Sequence, residues 1–388
     1  MNFSGSPNDF DSWQAVASSS ALLAVIQTTD DRSPAALERW RSEFGADHVR
    51  IALELNDARR RMESKWPGAS NWIVDRQGAE QASSKASGIH KAQRIQERGM
   101  TKVTDLMCGV GGDSAAFTNA KLETRAVDLD PFRAQCAGHN ALCPFAIIDV
   151  ENYVNDGSFL HLDPPRRDSS GRRRHHWQEL LPSAKSLYEL QTRVPQGVYK
   201  LSPATDANEL DLSNCRFEWL SENGRLTQCL AWWGDQPTNH RSVTRLDDGW
   251  SFEGEPTPEP ESRGSFGTYL VRADPLLERS DLAGAYARSC ESMESVHPGL
   301  GLLTTDVRPT GKGLNVWEVE EVLPWREKKL RAAIRTRGGG EVIVHTRGRS
   351  IDPDNASKSL RGEGDQTVHL WCVRLGSKRM GVFVKRPT

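Results

Sequence analysis

At 388 residues the chain exceeds one typical domain, so two or three folding units are expected. Hydrophobic residues at 37% and charged residues at 26% describe a globular chain. No apolar run approaches the roughly 20 residues that cross a bilayer, which argues against a membrane protein. The net charge of −2 is unevenly spread: Pro324 to Thr388 holds 15 Lys/Arg against 6 Asp/Glu, so +9 at one end stands against −11 elsewhere.

Residues 1–98 read as a helical region. Ser33-Pro34 has the form of an N-cap followed by proline in the first turn, opening a helix through Leu37, Trp40 and Phe44 that stops at Gly45. A second helix is expected from Val49 to Lys65, and a third from Asp75 to Gly99 with a break at Gly88. Strands and helices then alternate, which implies a mainly parallel sheet. The expected strands are Lys102–Met107, Thr124–Val127, Phe145–Ile148, Phe159–Leu162 and Gly197–Leu201. The expected helices are Asp113–Ala120, Pro131–Ala141 and Trp177–Arg193. Arg216–Leu220 and Leu226–Trp232 flank Asn223-Gly224, a hairpin signal because both residues tolerate positive φ. A further hairpin turns at Asp248-Gly249, and the proline-rich stretch Glu255–Ser262 reads as a mobile linker or loop. Beyond Pro275 come helices, a strand at Trp317–Val322, and a basic helix at Arg326–Arg337 stopped by Gly338-Gly339-Gly340. A strand at Val342–His345, a short helix at Asp354–Leu360 and two paired strands at Thr367–Val373 and Met380–Val384 complete a small α/β appendage.

The chemistry is concentrated where the strands end. Asp105 is followed by Cys108, Gly109, Gly111, Gly112 and Asp113, a glycine loop directly after a strand, where the backbone turns sharply and approaches a ligand without Cβ atoms in the way. Ser114 stands where the dinucleotide fingerprint has its third glycine. Asp128 closes the next strand, 23 residues after Asp105, and suits both hydroxyls of a ribose. Asp149 follows the third strand and is placed to accept from an adenine amino group. These residues with Asp130 form the candidate cofactor-binding set; within it Cys108 reads as packing and Asp130 as the N-cap of the helix beginning at Pro131. Asp163, Pro164, Pro165 and Arg166 follow the fourth strand and form the candidate catalytic set.

The series Asp105-Leu-Met-Cys-Gly-Val-Gly-Gly, Val127-Asp-Leu-Asp-Pro131, Asp149 and Asp163-Pro-Pro resembles the successive motifs of class I methyltransferases. That resemblance implies a Rossmann-like seven-stranded core with a reversed last strand. It also implies S-adenosylmethionine as cofactor, with Asp105 near its amino group, Asp128 on the ribose and Asp149 at the adenine. Over most of its length the chain resembles bacterial class I methyltransferases with a C-terminal THUMP-like domain. Ala58-Arg-Arg-Arg-Met-Glu-Ser-Lys-Trp-Pro67, Glu80-Gln-Ala-Ser-Ser84, His90-Lys-Ala92, Lys200-Leu-Ser-Pro203 and Leu330-Arg-Ala-Ala-Ile-Arg335 carry that likeness, together with Asp163-Pro-Pro-Arg-Arg167. The group more often has Asp-Pro-Ala-Arg-Arg at the last of these. THUMP domains proper bind RNA, so the resemblance implies an RNA partner. The expected division is a helical region at 1–98, the methyltransferase domain at 99–272, and a THUMP-like α/β domain with a helical connector at 273–388.

Methyl transfer to nitrogen needs alignment of the nucleophile and handling of one proton. Asp163 and the Pro164 carbonyl are suited to hold an exocyclic amine. Arg166 takes the place where base amino-methyltransferases usually have an aromatic residue, and a guanidinium also stacks on a base or pairs with phosphate. Arg166-Arg167 and Arg172-Arg173-Arg174-His175-His176-Trp177 form a basic loop fit to track a phosphate backbone, with the basic C-terminal domain as a second contact. Methylation of pyrimidine carbon 5 is the competing chemistry; it needs a cysteine nucleophile, for which Cys215 and Cys229 are candidates, although both read as core thiols. A non-catalytic RNA-binding module and a small-molecule methyltransferase are the other readings. Seven scattered cysteines form neither a disulfide frame nor a zinc pattern, so no metal is expected, and the composition suits the cytoplasm.

Overall fold

The computed structural model describes residues 9–29, 31–164, 182–210, 212, 214–234, 239–290, 292–347 and 350–387. The chain divides into two compact units, Met1–Phe217 with Thr227–Thr238, and Glu218–Leu226 with Asn239–Thr388.

The first unit opens with six helices: α1 (Phe10–Ser18), α2 (Ser20–Thr28), α3 (Pro34–Phe44), α4 (Ala46–Glu63), α5 (Arg76–Gln81) and α6 (Lys85–Glu97). Capping explains their limits. The Ser33 hydroxyl accepts the Ala36 N–H at 3.3 Å, and Gly45 ends α3 with φ 87°. The Lys65 ammonium donates to the carbonyls of Ala79, Glu80 and Ala82, the groups that the end of α5 leaves without helical partners. The break expected at Gly88 falls instead at Ala82–Ser84, and Gly88 lies inside α6. A Cβ at Gly88 would stand 2.5 Å from the Ala116 Cβ, so this glycine serves close helix packing and not a chain break. Trp13, Leu22, Ile26, Trp40, Leu55 and Met62 are buried in one cluster with Val110, Ala115 and Phe132. Each such large side chain contributes about 1.5–3 kcal/mol by leaving water, so the helical block is part of this unit's core.

The alternating segment follows: β1 (Lys102–Leu106), α7 (Gly112–Asn119), β2 (Glu123–Asp128), α8 (Pro131–Ala141), β3 (Phe145–Ile147), β4 (Phe159–Leu162), α9 (Ala184–Arg193), β5 (Gly197–Leu201), β6 (Cys215–Glu222) and β7 (Arg225–Trp233). The strand order is β3-β2-β1-β4-β5-β7-β6. The first five strands pair in parallel and β7 runs antiparallel to β5, the architecture the motif series implied. Asn223 and Gly224 turn the hairpin with φ 51° and 69°. Helix α9 starts at Ala184, where the Ser183 hydroxyl caps it through the Ser186 N–H at 3.1 Å; residues 177–181 of the helix expected from Trp177 lie outside the described residues.

The second unit contains the hairpin β8 (Arg241–Arg245) and β9 (Trp250–Gly254), turned with Gly249 at φ 68°. It continues through β10 (Tyr269–Ala273), α10 (Pro275–Arg279), α11 (Ala283–Ser289), β11 (Glu294–Ser295), β12 (Leu303–Thr305), β13 (Leu314–Pro324), α12 (Glu327–Thr336), β14 (Gly339–Thr346), α13 (Pro353–Leu360), β15 (Gln366–Leu375) and β16 (Lys378–Lys385). Seven of these strands form a sheet in the order β11-β12-β10-β13-β16-β15-β14, antiparallel except for the β14–β15 pair. Leu330 and Ile334 of α12 pack on Val342, Val344, Val368, Leu370 and Phe383, which covers one face of its β14–β15–β16 end. The proline-rich segment 255–262 is tied down and is not a free linker. The Glu259 carboxylate accepts from the Ser295 hydroxyl and the Gly301 N–H, each at 3.1 Å. No helix among the described residues is long and apolar enough to cross a membrane.

Candidate active site

Strands β3, β2, β1 and β4 lie side by side and end together, with Ile147 level with Asp128, Val127 level with Leu106, and Leu106 level with Leu162. Chain order reverses between β1 and β4, and open α/β sheets bind ligands in the crevice beyond such a reversal. The structure thereby gathers the 107–111 loop, Asp128, Asp149 and Asp163-Pro164 at the same end of one sheet.

The loop takes its shape from backbone conformations that favour glycine. Gly109 and Gly111 have φ 56° and 85°, and Met107 also lies at positive φ. A Cβ at Gly111 would come within 2.7 Å of the Ala137 Cα, so α8 packs directly on the loop. At Gly109 the place of the missing side chain is open among the described residues, with none of their atoms within 4 Å. Beside it the two Asp128 oxygens accept the Gly109 and Asp130 N–H groups, each at 3.0 Å. A carboxylate oxygen has two acceptor directions, so each still offers one to a hydroxyl. Burial pushes the Asp128 carboxyl up to about 6, against the two N–H groups that pull it down.

Beneath the loop is a buried network of charges. The Asp105 carboxylate, 1% exposed, accepts from the Ser114 hydroxyl at 2.5 Å and lies 2.7 Å from His161 Nδ1. Both its oxygens are thus engaged within the protein, and Asp105 orients the start of α7. Ser114, the departure from the dinucleotide pattern, supplies that contact. Asp113 pairs with Lys91 of α6 at 2.5 Å, accepts from the Ser83 hydroxyl at 2.6 Å, and has His161 Nε2 and Lys200 Nζ each at 3.8 Å. Burial alone would raise the Asp113 carboxyl, but Lys91, His161 and Lys200 outweigh it and hold the group well below the ordinary carboxylate range. Lys91 is itself fully buried, and desolvation draws its ammonium down against the attraction of Asp113. Lys200 on β5 then reaches Asp163 Oδ2 at 2.5 Å. A chain of ion pairs and hydrogen bonds therefore runs from the N-terminal helices, under the glycine loop, to Asp163.

The other sequence candidates have local roles. Asp130 caps α8 through the Phe132 N–H at 2.9 Å, and Asp149 accepts the Glu151 N–H at 3.0 Å. The Cys108 thiol is buried and its pKa is pushed far up by desolvation, which fits packing. Gly112 is pressed against the Ser83 backbone, where a Cβ would sit 3.2 Å away. Pro164 is buried, whereas Pro165, Arg166 and the basic loop through Trp177 lie outside the described residues. Of the cysteines weighed as nucleophiles, Cys229 is fully buried, and burial pushes the Cys215 thiol up to about 12. Thiols so buried fit core packing better than the role of a nucleophile.

Ser83, Lys91, His161 and Lys200 were not among the sequence's site candidates. A signal existed for three of them. Lys91 interrupts a stripe of small and apolar residues on α6, namely Gly88, Ala92 and Ile95, while His161 and Lys200 are polar residues inside wholly buried strands.

The THUMP domain-like family matches residues 314–386. Two uncharacterized S-adenosylmethionine-dependent methyltransferases, from Mycobacterium tuberculosis strains CDC 1551 / Oshkosh and ATCC 25618 / H37Rv, are each 26% identical over 366 residues, covering 90% of this chain and 99% of theirs. The crystal structure of a candidate methyltransferase from Porphyromonas gingivalis W83 superposes with a TM-score of 0.72 at 17% identity, covering 98% of this chain and 99% of that one.

Proposed function

The chain is an S-adenosylmethionine-dependent methyltransferase of class I fold with a THUMP-like domain at its C-terminal end, and we propose that it methylates a base nitrogen in RNA. The observation that carries this reading is the convergence of the open space over Gly109, the Asp128 carboxylate and Asp163-Pro164 at one sheet end. The residues present suit the cofactor: side-chain-free backbone for the methionine part, Asp128 with two unused acceptor directions for the ribose, and Asp149 toward the adenine. When bound, the cofactor supplies an electrophilic methyl group. The chain's own task is then placement. Asp163 has one oxygen held by Lys200, which leaves the other to accept an amine hydrogen and aim the lone pair, with the Pro164 carbonyl as second acceptor. Support for RNA comes from the THUMP-like domain, the +9 charge of the last 65 residues, and the arginine-rich run after Asp163. Mass spectrometry of nucleosides in RNA from cells lacking the protein tests the reading. One methylated base should disappear, and an unchanged RNA nucleoside profile overturns it.

Cofactor binding gives a separate check. Asp128→Ala is expected to weaken S-adenosylmethionine binding about 10- to 100-fold by calorimetry, because a charged acceptor of two hydroxyls is lost. The wild-type affinity should also depend on pH. The ribose favours ionised Asp128, whose pKa near 6 is raised by burial, so affinity is full above that value. Below it, the proton must first be displaced, and binding weakens by up to about tenfold per pH unit. Equal affinities at about pH 7 and about pH 5 would remove Asp128 from the cofactor site. Cys215→Ala and Cys229→Ala are expected to keep methyl transfer. A folded, cofactor-binding variant without activity would return the carbon-5 chemistry to consideration.

A further inference from the structure

We propose that the second unit carries a stacking platform for unpaired RNA bases, built from His345, His369, Trp317, Trp371 and Arg386. The proposal deepens the reading of RNA as substrate and rests on it for the identity of the strand. The helix-covered face at this end of the sheet is aliphatic and aromatic: Val342, Val344, Val368, Leu370 and Phe383. On the opposite face of the same strands stand polar aromatic rings. His345 on β14 stacks on Trp371 of β15 at 4.9 Å between centroids, and lies edge to edge with His369 of β15, centroids 5.7 Å and planes 14° apart. Trp317 of β13 lies 5.0 Å from His369 and 5.3 Å from His345. The exposed Arg386 guanidinium sits 3.8 Å over the Trp317 ring.

The two tryptophans are buried and pack on Val373, Val382 and Val384, whereas both histidines remain partly exposed. The result is a ledge, with an aromatic floor and imidazole and guanidinium planes at its rim. Burial is the first cause lowering the pKa of both histidines, and nearby positive charge adds to it, bringing His345 to about 4. Both rings are therefore neutral flat surfaces at neutral pH. The only hydrogen-bonding contact between them is His345 Nε2 to His369 Nδ1 at 3.4 Å. Among the described residues no group of three or more His, Cys, Asp or Glu side chains that could hold a metal ion forms. Two imidazoles pack a sheet face less well than the valines opposite, because their ring nitrogens must be desolvated. Flat π-faces with a guanidinium beside them are what unpaired bases stack on.

The basic helix singled out by the sequence is a weaker contact. Arg331 is bonded to Glu327 at 2.7 Å and Arg337 to Glu321 at 2.9 Å, which neutralises part of its charge. The surrounding basic excess attracts the phosphates, and the platform takes the bases.

The test uses the full chain and a short fluorescent single-stranded RNA, read by anisotropy, with the same strand annealed to its complement as a second probe. The double variant His345→Ala/His369→Ala should bind the single strand at least about tenfold more weakly. His369→Phe should keep most of the affinity, because stacking needs a ring and not an imidazole. Arg386→Ala, an exposed change, should weaken binding severalfold, and the duplex should bind more weakly than the single strand. All variants should retain cofactor affinity. Undiminished RNA binding by the double variant and Arg386→Ala overturns the platform while leaving an RNA substrate standing. Failure of the wild type to bind either probe at low salt overturns both.

Discussion

Replacing Lys91 by methionine is expected to destabilise the protein by about 3–5 kcal/mol, read as a shift in the urea unfolding midpoint. Lys91 is fully buried, 2.5 Å from Asp113, with Gln228 Oε1 at 3.3 Å as its second partner. Removing the ammonium leaves the Asp113 carboxylate in a site that water does not reach. Lys200 and His161 at 3.8 Å recover only part of the loss, since Lys200 is already committed to Asp163 at 2.5 Å. The methionine chain fills nearly the same volume, so the effect reports charge and not a cavity. The double variant Lys91→Met/Asp113→Leu should therefore be markedly more stable than Lys91→Met alone, because neither charge is then stranded. A single-variant loss below about 1 kcal/mol would show that the pair is unimportant. The same pair sets an acid response. The folded pKa of Asp113 is depressed, so its contribution is present above the ordinary carboxylate range and is lost as pH falls below that range toward the depressed folded value.

This network marks the limit of what the sequence alone could convey. The strand-helix alternation and the strand-end acids were legible because each is a local pattern: a short apolar run, a glycine loop, a carboxylate at a fixed offset. Strand pairing could be read no further than the implied family architecture. The network is not local. Lys91 and Asp113 are 22 residues apart on different helices, and His161 reaches Asp105 across 56 positions. Each polar residue alone reads as an exception to burial, and only the parallel β1–β4 pairing, with His161 level with Asp105, makes them partners. The N-terminal helical region yields no site candidate from sequence for the same reason. Their contribution is one lysine and one serine hydroxyl, delivered under a loop that begins beyond residue 106. Gly88 misled for a related cause: a glycine that permits close helix approach and one that ends a helix are alike until the partner helix is known.

Asp163→Ala is expected to lower methyl-transfer turnover roughly 10²- to 10⁴-fold while changing S-adenosylmethionine affinity by no more than a few fold. The separation follows from position. In the proposed site Asp128 and the glycine loop flank the cofactor slot from β1 and β2, whereas Asp163 follows β4 on the other side of the order reversal. A carboxylate there acts on the nucleophile, and its loss is felt in alignment more than in cofactor binding. Lys200→Met tests the same residue from behind. Lys200 is 6% exposed and holds Asp163 Oδ2, so its removal frees the carboxylate to rotate and lowers turnover by about 10- to 100-fold. Lys200 touches no substrate in this scheme and acts as a positioning residue. In the Asp163→Ala background, Lys200→Met should consequently cost little further activity, since the group it orients is already gone. The measurement is transfer of labelled methyl groups to RNA from cells lacking the protein, alongside calorimetric cofactor affinities for all four proteins. Fully additive losses would mean that Lys200 works independently of Asp163. Equal losses of affinity and turnover in Asp163→Ala would assign Asp163 to the cofactor and leave the amine only the Pro164 carbonyl as its acceptor after β4.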